Sequence, residues 1–345
     1  MQHSAALDAI RGIAVIFVFL FHAGIRGFSG AFVGVDIFFV LSGFLITLLI
    51  LQEYEGKGSI SLKKFYMRRI LRLIPALVFM LALYLTVINF RYQDAGARLR
   101  QLQDAFIVLF YAANWTRAFD LGRPDILGHT WSLSIEEQFY MLWPLCMLFL
   151  LRLRGSFRSI LIAVLFCAAW AWRVYLLSAG ASFNRLYNGL DCRADMLLAG
   201  CLLASLWHAG YLGFWNRRRA LSRALVAMAC VGFAVMCGCG EWENASLYLW
   251  QYPLVALAAA MVILEVAAAP GGLFSRALNT RWLVWPGKIS YGIYLWHYPV
   301  IALLDKVVVN KNLKAVTAAL LTMLFATISW YAVERPFLRL KRRFA

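Results

Sequence analysis

The sequence predicts an all-α polytopic membrane protein. Of its 345 residues, 63% are hydrophobic, and the mean hydropathy is +0.70. A soluble domain of this composition would lack the polar surface that keeps it in solution. Two further observations support the prediction. About ten apolar stretches approach the length of a membrane-crossing helix, and Lys and Arg are unevenly distributed between the connecting segments.

The predicted transmembrane helices follow one another along the whole chain. They cover 9–25, 31–51, 74–90, 132–152, 159–177, 194–208, 221–239, 246–266, 288–305 and 314–333. The stretch 194–208 is short for a membrane span. Another apolar run, at 104–115, is shorter still, and its length favours an interfacial or re-entrant segment.

The charge distribution predicts the orientation. The chain has 34 Lys and Arg against 17 Asp and Glu, a formal net charge of +17. When the connecting segments are assigned alternately to the two sides, most basic residues fall on the side of both termini, in 52–73, 152–158, 209–223, 267–288 and 334–345. Short basic loops remain in the cytoplasm, so both termini are predicted to be cytoplasmic. The positive charge therefore reflects topology and does not indicate a nucleic-acid partner.

Residues 1–345 are predicted to form a single transmembrane domain, without an internal repeat, a low-complexity linker or a soluble appendage. No basic region precedes the first apolar run, which favours an uncleaved first helix over a signal peptide. The seven cysteines lie mostly in predicted helices, and "CGCG" at 237–240 has no nearby His or Cys partner. Neither a disulfide framework nor a metal site is expected.

The first helix carries an unusual pair of polar residues, Arg11 and His22, in "DAIRGIAVIFVFLFHAG" at 8–24. Eleven helical residues make about three turns, so the two side chains project from one face, about 16 Å apart along the axis. The predicted topology puts Arg11 at the inner edge of the membrane and His22 in its outer half.

The other embedded polar residues fall into two predicted layers. Ser42 is expected near mid-depth, Ser132 on the same helix face as Glu136, and Tyr291 low in its helix. The outer layer contains His22, Asp36, Glu136, Glu137 and His297. The inner layer contains Arg11 and the three arginines of "FYMRRILRLIP" just before the third helix, Arg68, Arg69 and Arg72. Ionisable groups inside a membrane usually face an internal cavity, so the layers predict a functional site.

Structural interpretations exist for several of these residues. The three arginines before the third helix are also typical of a basic helix flank, and Arg11 can extend to the inner headgroups. Ser134 and Glu137 fit the S-x-x-E pattern of a helix capping box. His297, between Trp296 and Tyr298, fits an interfacial aromatic belt. Gly30 and Gly34 favour close helix packing.

The two layers suit the transfer of an acyl group. A His within reach of a carboxylate can act as a general base, and arginines bind phosphate oxygens through paired hydrogen bonds. Acyl-coenzyme A, with a phosphorylated head and a long thin arm ending in a thioester, would contact both layers. A lipid-phosphate or polyprenyl-phosphate substrate would satisfy the inner arginines equally well.

Five motifs in the same order resemble the acyltransferase-3 family of integral-membrane acyltransferases of the O-antigen and polysaccharide O-acetylase type. They are "LDAIRGIAVIFVFLFH", "AFVGVDIFFVLSGFLIT", "FYMRRILRLIP", "HTWSLSIEEQFYMLWP" and "ISYGIYLWHYP". The resemblance implies about ten transmembrane helices around an internal acyl-CoA tunnel in a bacterial-type inner membrane. Some members add an extracytoplasmic esterase-like domain, which is not expected for this chain.

The resemblance also implies roles for the site residues. His22 is expected to be the catalytic residue, as general base or transient acyl carrier, with Asp36 or Glu136 as the carboxylate that orients it. The donor-binding arginines are expected to be Arg11, Arg68, Arg69 and Arg72. The reaction centre is expected to include Trp131 and Ser132, which would polarise the thioester, together with Glu137, Ser42, Tyr291 and His297.

The predicted function is therefore transfer of an acyl group, most simply acetyl, from cytoplasmic acyl-CoA to a hydroxyl of an envelope glycan, glycolipid or related acceptor. Acyl-CoA is expected as co-substrate, with no bound cofactor. The alternative is a proton-coupled transporter or flippase of a glycolipid or anionic solute, which would move its substrate without covalent change. A non-catalytic family member is a third alternative, against which the intact Arg11 and His22 argue.

Overall fold

The computed structural model describes residues 4–91, 93–305, 307–341 and 344, with Lys341 described in its backbone only. These ranges fold into α-helices joined by short loops and by 3₁₀ or π turns. In chain order the helices are α1 (Ala5–His22), α2 (Gly34–Lys57), α3 (Leu62–Arg91), α4 (Ala95–Leu109), α5 (Ala113–Ala118), α6 (Trp131–Leu150), α7 (Gly155–Ser178), α8 (Phe183–Asn188), α9 (Leu190–His208), α10 (Phe214–Arg217), α11 (Arg219–Cys239), α12 (Tyr252–Ala268), α13 (Leu273–Leu278), α14 (Arg281–Lys288), α15 (Ser290–Leu304), α16 (Lys311–Ser329) and α17 (Arg335–Lys341).

Seven helical segments among the described residues are long and apolar enough to cross a membrane. They are Ala5–His22, Ala31–Lys57, Leu62–Arg91, Gly155–Ser178, Arg219–Cys239, Leu247–Ala268 and Lys311–Leu340. Each overlaps one predicted transmembrane helix, so the prediction of an all-α, multi-pass membrane protein is confirmed at this level. The number of ten transmembrane helices and the cytoplasmic location of both termini stay predictions.

The remaining three predicted spans are helical but shorter or more polar. α6 contains two adjacent glutamates, and α9 contains Asp191, Arg193 and Asp195 within its first six residues. α15 has only 15 residues, fewer than the roughly 20 that cross a bilayer. The run 104–115 lies in α4 and α5, which are separated at 110–112, and its interfacial placement stays a prediction.

The chain forms two compact units. The first unit contains the described residues up to Ile60 together with Phe139–Lys288, and the second contains Ser61–Gln138 together with the described residues from Ile289 onward. The junction at 138 and 139 falls inside α6. The assignment of the whole chain to one domain stays a prediction.

In the first unit, α2 and α9 pack with their backbones in direct contact. A Cβ atom on Gly43 of α2 would lie 1.9 Å from the Leu197 carbonyl oxygen, and one on Gly200 of α9 would lie 1.9 Å from the Val40 carbonyl oxygen. No side chain fits at either position. The predicted packing role of Gly30 and Gly34 is confirmed in the same way, since their Cβ atoms would lie 1.8 Å and 2.4 Å from backbone oxygens.

In the second unit, α3 is longer than the sequence predicts. It begins at Leu62, twelve residues before the predicted span 74–90, so Arg68, Arg69 and Arg72 lie inside the helix and not before it. The preceding residues are mostly Leu, Lys, Met and Arg, which have high helix propensity, and they extend the helix beyond its apolar part.

The start of α6 corrects a second prediction. Ser134 is the fourth residue of this helix, because the helix begins at Trp131. Its hydroxyl donates a hydrogen bond to the Thr130 carbonyl oxygen at 3.1 Å, as serines inside a helix commonly do. Ser134 and Glu137 therefore do not form a capping box.

Candidate functional site

His22 is the last residue of α1, and its ring is half-buried. Its Nδ1 lies 2.9 Å from the Val18 carbonyl oxygen, one turn earlier. Because a carbonyl oxygen only accepts hydrogen bonds, Nδ1 carries the proton, and the neutral ring has its lone pair on Nε2. The ring also lies at the helix end where the macrodipole stabilises positive charge. This arrangement suits a base or nucleophile that acts through Nε2.

Arg11 lies in the same continuous helix, so its predicted spacing from His22 is that of an uninterrupted α-helix. Its Nη1 forms an ion pair with Asp8 Oδ1 at 3.1 Å. The Asp8 carboxylate is buried, whereas the Arg11 side chain is 19% exposed. Arg11 is therefore held against α1 by a local partner, Asp8, which belongs to neither of the two predicted layers.

Asp36, one of two candidate carboxylates for His22, has a different partner in the first unit. It lies in the first turn of α2 and forms a buried ion pair with Arg193 of α9. The Arg193 guanidinium also lies 3.8 Å from the centre of the Tyr252 ring. A carboxylate that compensates a buried guanidinium stabilises the fold, because its loss would leave the buried cation unpaired.

A second buried ion pair lies beside the first. Arg173 of α7 binds Asp195 of α9 at 2.6 Å, and both side chains are fully buried. Arg173 also donates hydrogen bonds to the carbonyl oxygens of Tyr248 and Cys192, at 3.0 and 2.7 Å. The two pairs give a cluster with balanced charge, which explains how charged residues are accommodated inside α9.

Ser42 lies in α2, and its hydroxyl accepts a hydrogen bond from Tyr140 at 2.8 Å. Within the first unit, this bond joins α2 to the later part of α6. The predicted place of Ser42 in the reaction centre stays a prediction.

In the second unit, Ser132 and Tyr294 form a buried hydroxyl pair with Oγ and Oη 2.6 Å apart. Tyr294 Oη also lies 2.8 Å from the His129 carbonyl oxygen, to which only the tyrosine can donate. The Ser132 hydroxyl is therefore the donor to Tyr294. These two bonds join the start of α6 to α15.

His297 lies beside this pair and is fully buried. Its Nδ1 lies 2.7 Å from the Tyr294 carbonyl oxygen, so its neutral form carries the lone pair on Nε2, as in His22. The ring of His129 lies 5.2 Å from that of His297, nearly perpendicular to it, and stacks on Tyr298 at 5.3 Å. The predicted residues Ser132 and His297 thus belong to one imidazole and hydroxyl cluster.

The α3 arginines and the α6 glutamates also come together in the second unit. Glu137 lies within electrostatic reach of Glu136, Arg69 and Arg72. The sequence predicts Glu137 in the outer layer and Arg69 and Arg72 in the inner layer. In the structure the two layers are not separate at Glu137, and the membrane depth of these residues stays a prediction.

The remaining predicted residues of the second unit have local contacts. Tyr291 donates a hydrogen bond to the Leu73 carbonyl oxygen of α3 at 3.0 Å, and Arg68 donates one to the Phe344 carbonyl oxygen at 2.9 Å. Trp131 is the first residue of α6 and is buried. The catalytic and binding roles of all these residues stay predictions, as does the pairing of His22 with Glu136.

Sequence reasoning missed His129, Tyr294, Arg173, Arg193 and Asp195. His129 and Tyr294 lie inside the two motifs that supplied Ser132 and His297, so the motifs themselves were the available signal. The charges at 193 and 195 were visible at the start of the short span 194–208, where buried charge requires partners. Their partners lie far away in the sequence.

These features define a helical, multi-pass membrane protein with buried histidines and buried ion pairs. A sequence profile described as an acyltransferase domain matches residues 4–335, and the chain therefore belongs to the acyltransferase-3 family. The family resemblance of the five motifs is confirmed.

The chain is also similar to two curated relatives. It is 33% identical over 359 residues to the O-acetyltransferase OatA of Staphylococcus aureus strain NCTC 8325, covering 97% of this chain and 57% of the relative. It is 33% identical over 349 residues to the peptidoglycan O-acetyltransferase OatA of Listeria monocytogenes strain EGD-e, covering 97% and 56%. The chain thus spans little more than half the length of these relatives. No solved structure matches it.

Proposed function

We propose that the protein is an inner-membrane O-acyltransferase that moves an acetyl group from cytoplasmic acyl-CoA to a hydroxyl of an envelope glycan. Membership in the acyltransferase-3 family supports the reaction class. The names of its relatives, an O-acetyltransferase and a peptidoglycan O-acetyltransferase, support acetyl as the group and peptidoglycan as the first acceptor to test. The proposal includes ten transmembrane helices, cytoplasmic termini and an internal tunnel for the acyl-CoA arm.

The observation that carries the proposal is the hydrogen bond of His22 Nδ1 to the Val18 carbonyl oxygen. It leaves Nε2 as the basic nitrogen of the neutral ring. In direct transfer, Nε2 takes the proton of the acceptor hydroxyl while the hydroxyl oxygen attacks the thioester carbonyl carbon. The carbon–sulfur bond then breaks, and the proton on Nε2 passes to the departing thiolate to give free coenzyme A.

The same nitrogen also suits a two-step route. Nε2 attacks the thioester carbonyl carbon, the carbon–sulfur bond breaks, and coenzyme A leaves as the thiolate, which gives an acyl-imidazolium that keeps its Nδ1 proton. The acceptor hydroxyl then attacks the acyl carbon, the carbon–nitrogen bond breaks to restore the neutral ring, and the hydroxyl proton passes to the thiolate. Both routes give the same products. They differ because only the second places a labelled acetyl group on the protein before the acceptor arrives.

The other predicted residues have supporting roles in the proposal. Arg11, Arg68, Arg69 and Arg72 bind donor phosphates, and Glu136 assists His22. Ser132 and His297 lie in the imidazole and hydroxyl cluster, which we propose contributes to the reaction centre with Trp131.

The test is acetyl transfer by the purified protein carrying His22→Ala, with free thiol and labelled acceptor measured together. We expect loss of both products in a variant that elutes as the wild type does on size exclusion. His208→Ala is the matched control, because His208 pairs with the exposed Glu55 at 3.1 Å, at the end of α9. Full activity of His22→Ala would exclude His22 from the mechanism. Flux of a substrate without release of thiol would identify a transporter instead.

A further inference from the structure

A half-open cavity of about 500 Å³ lies at the end of the last long helical segment, in the second unit. Trp330, Arg335, Leu338 and Arg339 line it. Trp330 opens a π-helical turn, and the other three residues belong to α17. Arg335 and Arg339 are four residues apart, so their side chains project from one face of α17. None of these residues belongs to the site described above.

The depth of the cavity follows from helix length. From Lys311 to Trp330 a helix rises about 28 Å, close to the roughly 30 Å of a bilayer's hydrocarbon core. Trp residues are typical of the membrane interface. In the proposed topology, the cavity therefore lies at the cytoplasmic headgroup level, where a donor from the cytoplasm arrives.

The cavity residues of α17 precede the residue that Arg68 binds by a few positions in the sequence. The Arg68 guanidinium donates a hydrogen bond to the Phe344 carbonyl oxygen at 2.9 Å. The arginines of α3 and those of α17 thus lie near the same C-terminal segment within one unit. Leu338 and Arg339 lie beyond the region matched by the family profile, which ends at residue 335.

Two kinds of side chain in the cavity determine its ligand. Guanidinium groups bind phosphate through paired hydrogen bonds, and an indole offers a face on which a planar base stacks. The volume lies within the range of about 300–1,000 Å³ that is usual for small-molecule sites. A lipid phosphate would use the arginines, but it has no planar base for Trp330.

We propose that this cavity binds the phosphorylated adenosine end of the acyl-CoA donor. The inference rests on the proposed function and its topology. Arg335 and Arg339 bind phosphate oxygens, and Trp330 stacks against adenine. The donor would therefore be recognised at its nucleotide end by Trp330 and Arg335, at the end of the matched family region, and by Arg339 beyond it.

The binding test uses adenosine 3′,5′-bisphosphate, the end fragment of coenzyme A, in equilibrium dialysis with the full chain in detergent. We expect the wild type to bind it, and Arg335→Gln/Arg339→Gln to weaken binding by about tenfold or more, since both lost contacts are charged. Trp330→Leu should weaken binding of the bisphosphate but not of pyrophosphate. Arg217→Gln/Arg218→Gln, with two exposed arginines on the same predicted side, is the control and should bind normally.

The kinetic test separates donor capture from catalysis. In the Arg335 and Arg339 double variant, KM for acetyl-CoA should rise about tenfold with kcat retained, whereas KM for S-acetylpantetheine, which lacks the nucleotide, should not change. Equal effects on both donors would overturn the proposal. Absence of bisphosphate binding by an active wild type would also overturn it while leaving the proposed function intact.

Two more outcomes are distinguishable. If the wild type binds the bisphosphate but consumes no acyl-CoA, the cavity is still a nucleotide site, but the proposed function is wrong. The lipid alternative is tested in nanodiscs with and without phosphatidylglycerol. The lipid interpretation requires two results: phosphatidylglycerol raises the Tm of the wild type but not of the double variant, and the wild type binds no nucleotide. In that case the cavity is a lipid site and the proposal fails.

Discussion

The carboxylate of Asp36 and the guanidinium of Arg193 form an ion pair that connects α2 to α9, and each side chain is only 1% exposed. The ring of Tyr252 lies against the same guanidinium. Removing either partner leaves a buried charge without compensation. Loss of the pair is therefore expected to lower the stability of the protein, whether or not Asp36 takes part in the reaction.

Asp36→Asn should therefore destabilise the protein by about 3–5 kcal/mol. Differential scanning fluorimetry in detergent should show a lower Tm, and the yield of monodisperse protein should fall. Asp36→Asn combined with Arg193→Gln should recover part of the loss, because no buried charge remains. A stable Asp36→Asn variant without acyl transfer would instead assign Asp36 to the reaction.

Tyr294→Phe should cost about 1–3 kcal/mol, because it leaves the Ser132 hydroxyl and the His129 carbonyl oxygen without their bonds to Tyr294. Thermal unfolding measures this effect. Tyr175→Phe in α7 is the control and should be neutral, since Tyr175 is 59% exposed. An unchanged Tm for Tyr294→Phe would contradict the buried hydroxyl pair.

Gly43→Ala should destabilise the α2 and α9 contact by about 1–3 kcal/mol, because the new Cβ would lie 1.9 Å from a backbone oxygen. Gly56→Ala, in the same helix, meets no atom within 4 Å. It should leave the Tm equal or slightly higher, since Ala has the higher helix propensity. Similar Tm values for the two variants would show that the helices are not in backbone contact.

The ion pair between Asp191 and Arg185 predicts a dependence of stability on pH. Burial alone would raise the pKa of Asp191, but hydrogen bonds from Arg185 and Trp172 hold it below the ordinary value of 3.8. A lowered folded-state pKa stabilises the protein above about pH 4, and that contribution disappears as the pH falls through the folded-state pKa. The Tm difference between the wild type and Asp191→Asn should thus be present at pH 6 and shrink toward pH 3. A constant difference would contradict the pair.

The sequence predicted the helical membrane class because hydropathy is a property of each stretch by itself. Seven predicted spans therefore reappear as long apolar helices. The same reasoning placed the start of α3 too late, because helix propensity continues into the charged residues 62–73 after the apolar signal ends.

The site was predicted less completely because partner choice depends on packing. The motifs gave His22, Ser132 and His297, yet nothing local to Asp36 indicates Arg193, which is 157 residues away. The bond of His22 to Val18 is local, four residues apart on a helix. It could have been expected from helix geometry alone, whereas the meeting of His129 and His297 requires the fold.

The balanced charges of α9 have a consequence for biogenesis. A translocon would meet Asp191, Arg193 and Asp195 at the start of one nascent segment, and any of these charges that entered the bilayer core unpaired would cost a few kcal/mol. Because Asp36, Arg173 and Arg185 come earlier in the chain, all three counter-charges are synthesised before that segment. For the predicted span 194–208, we therefore expect release of α9 into lipid to depend on the helices made before it.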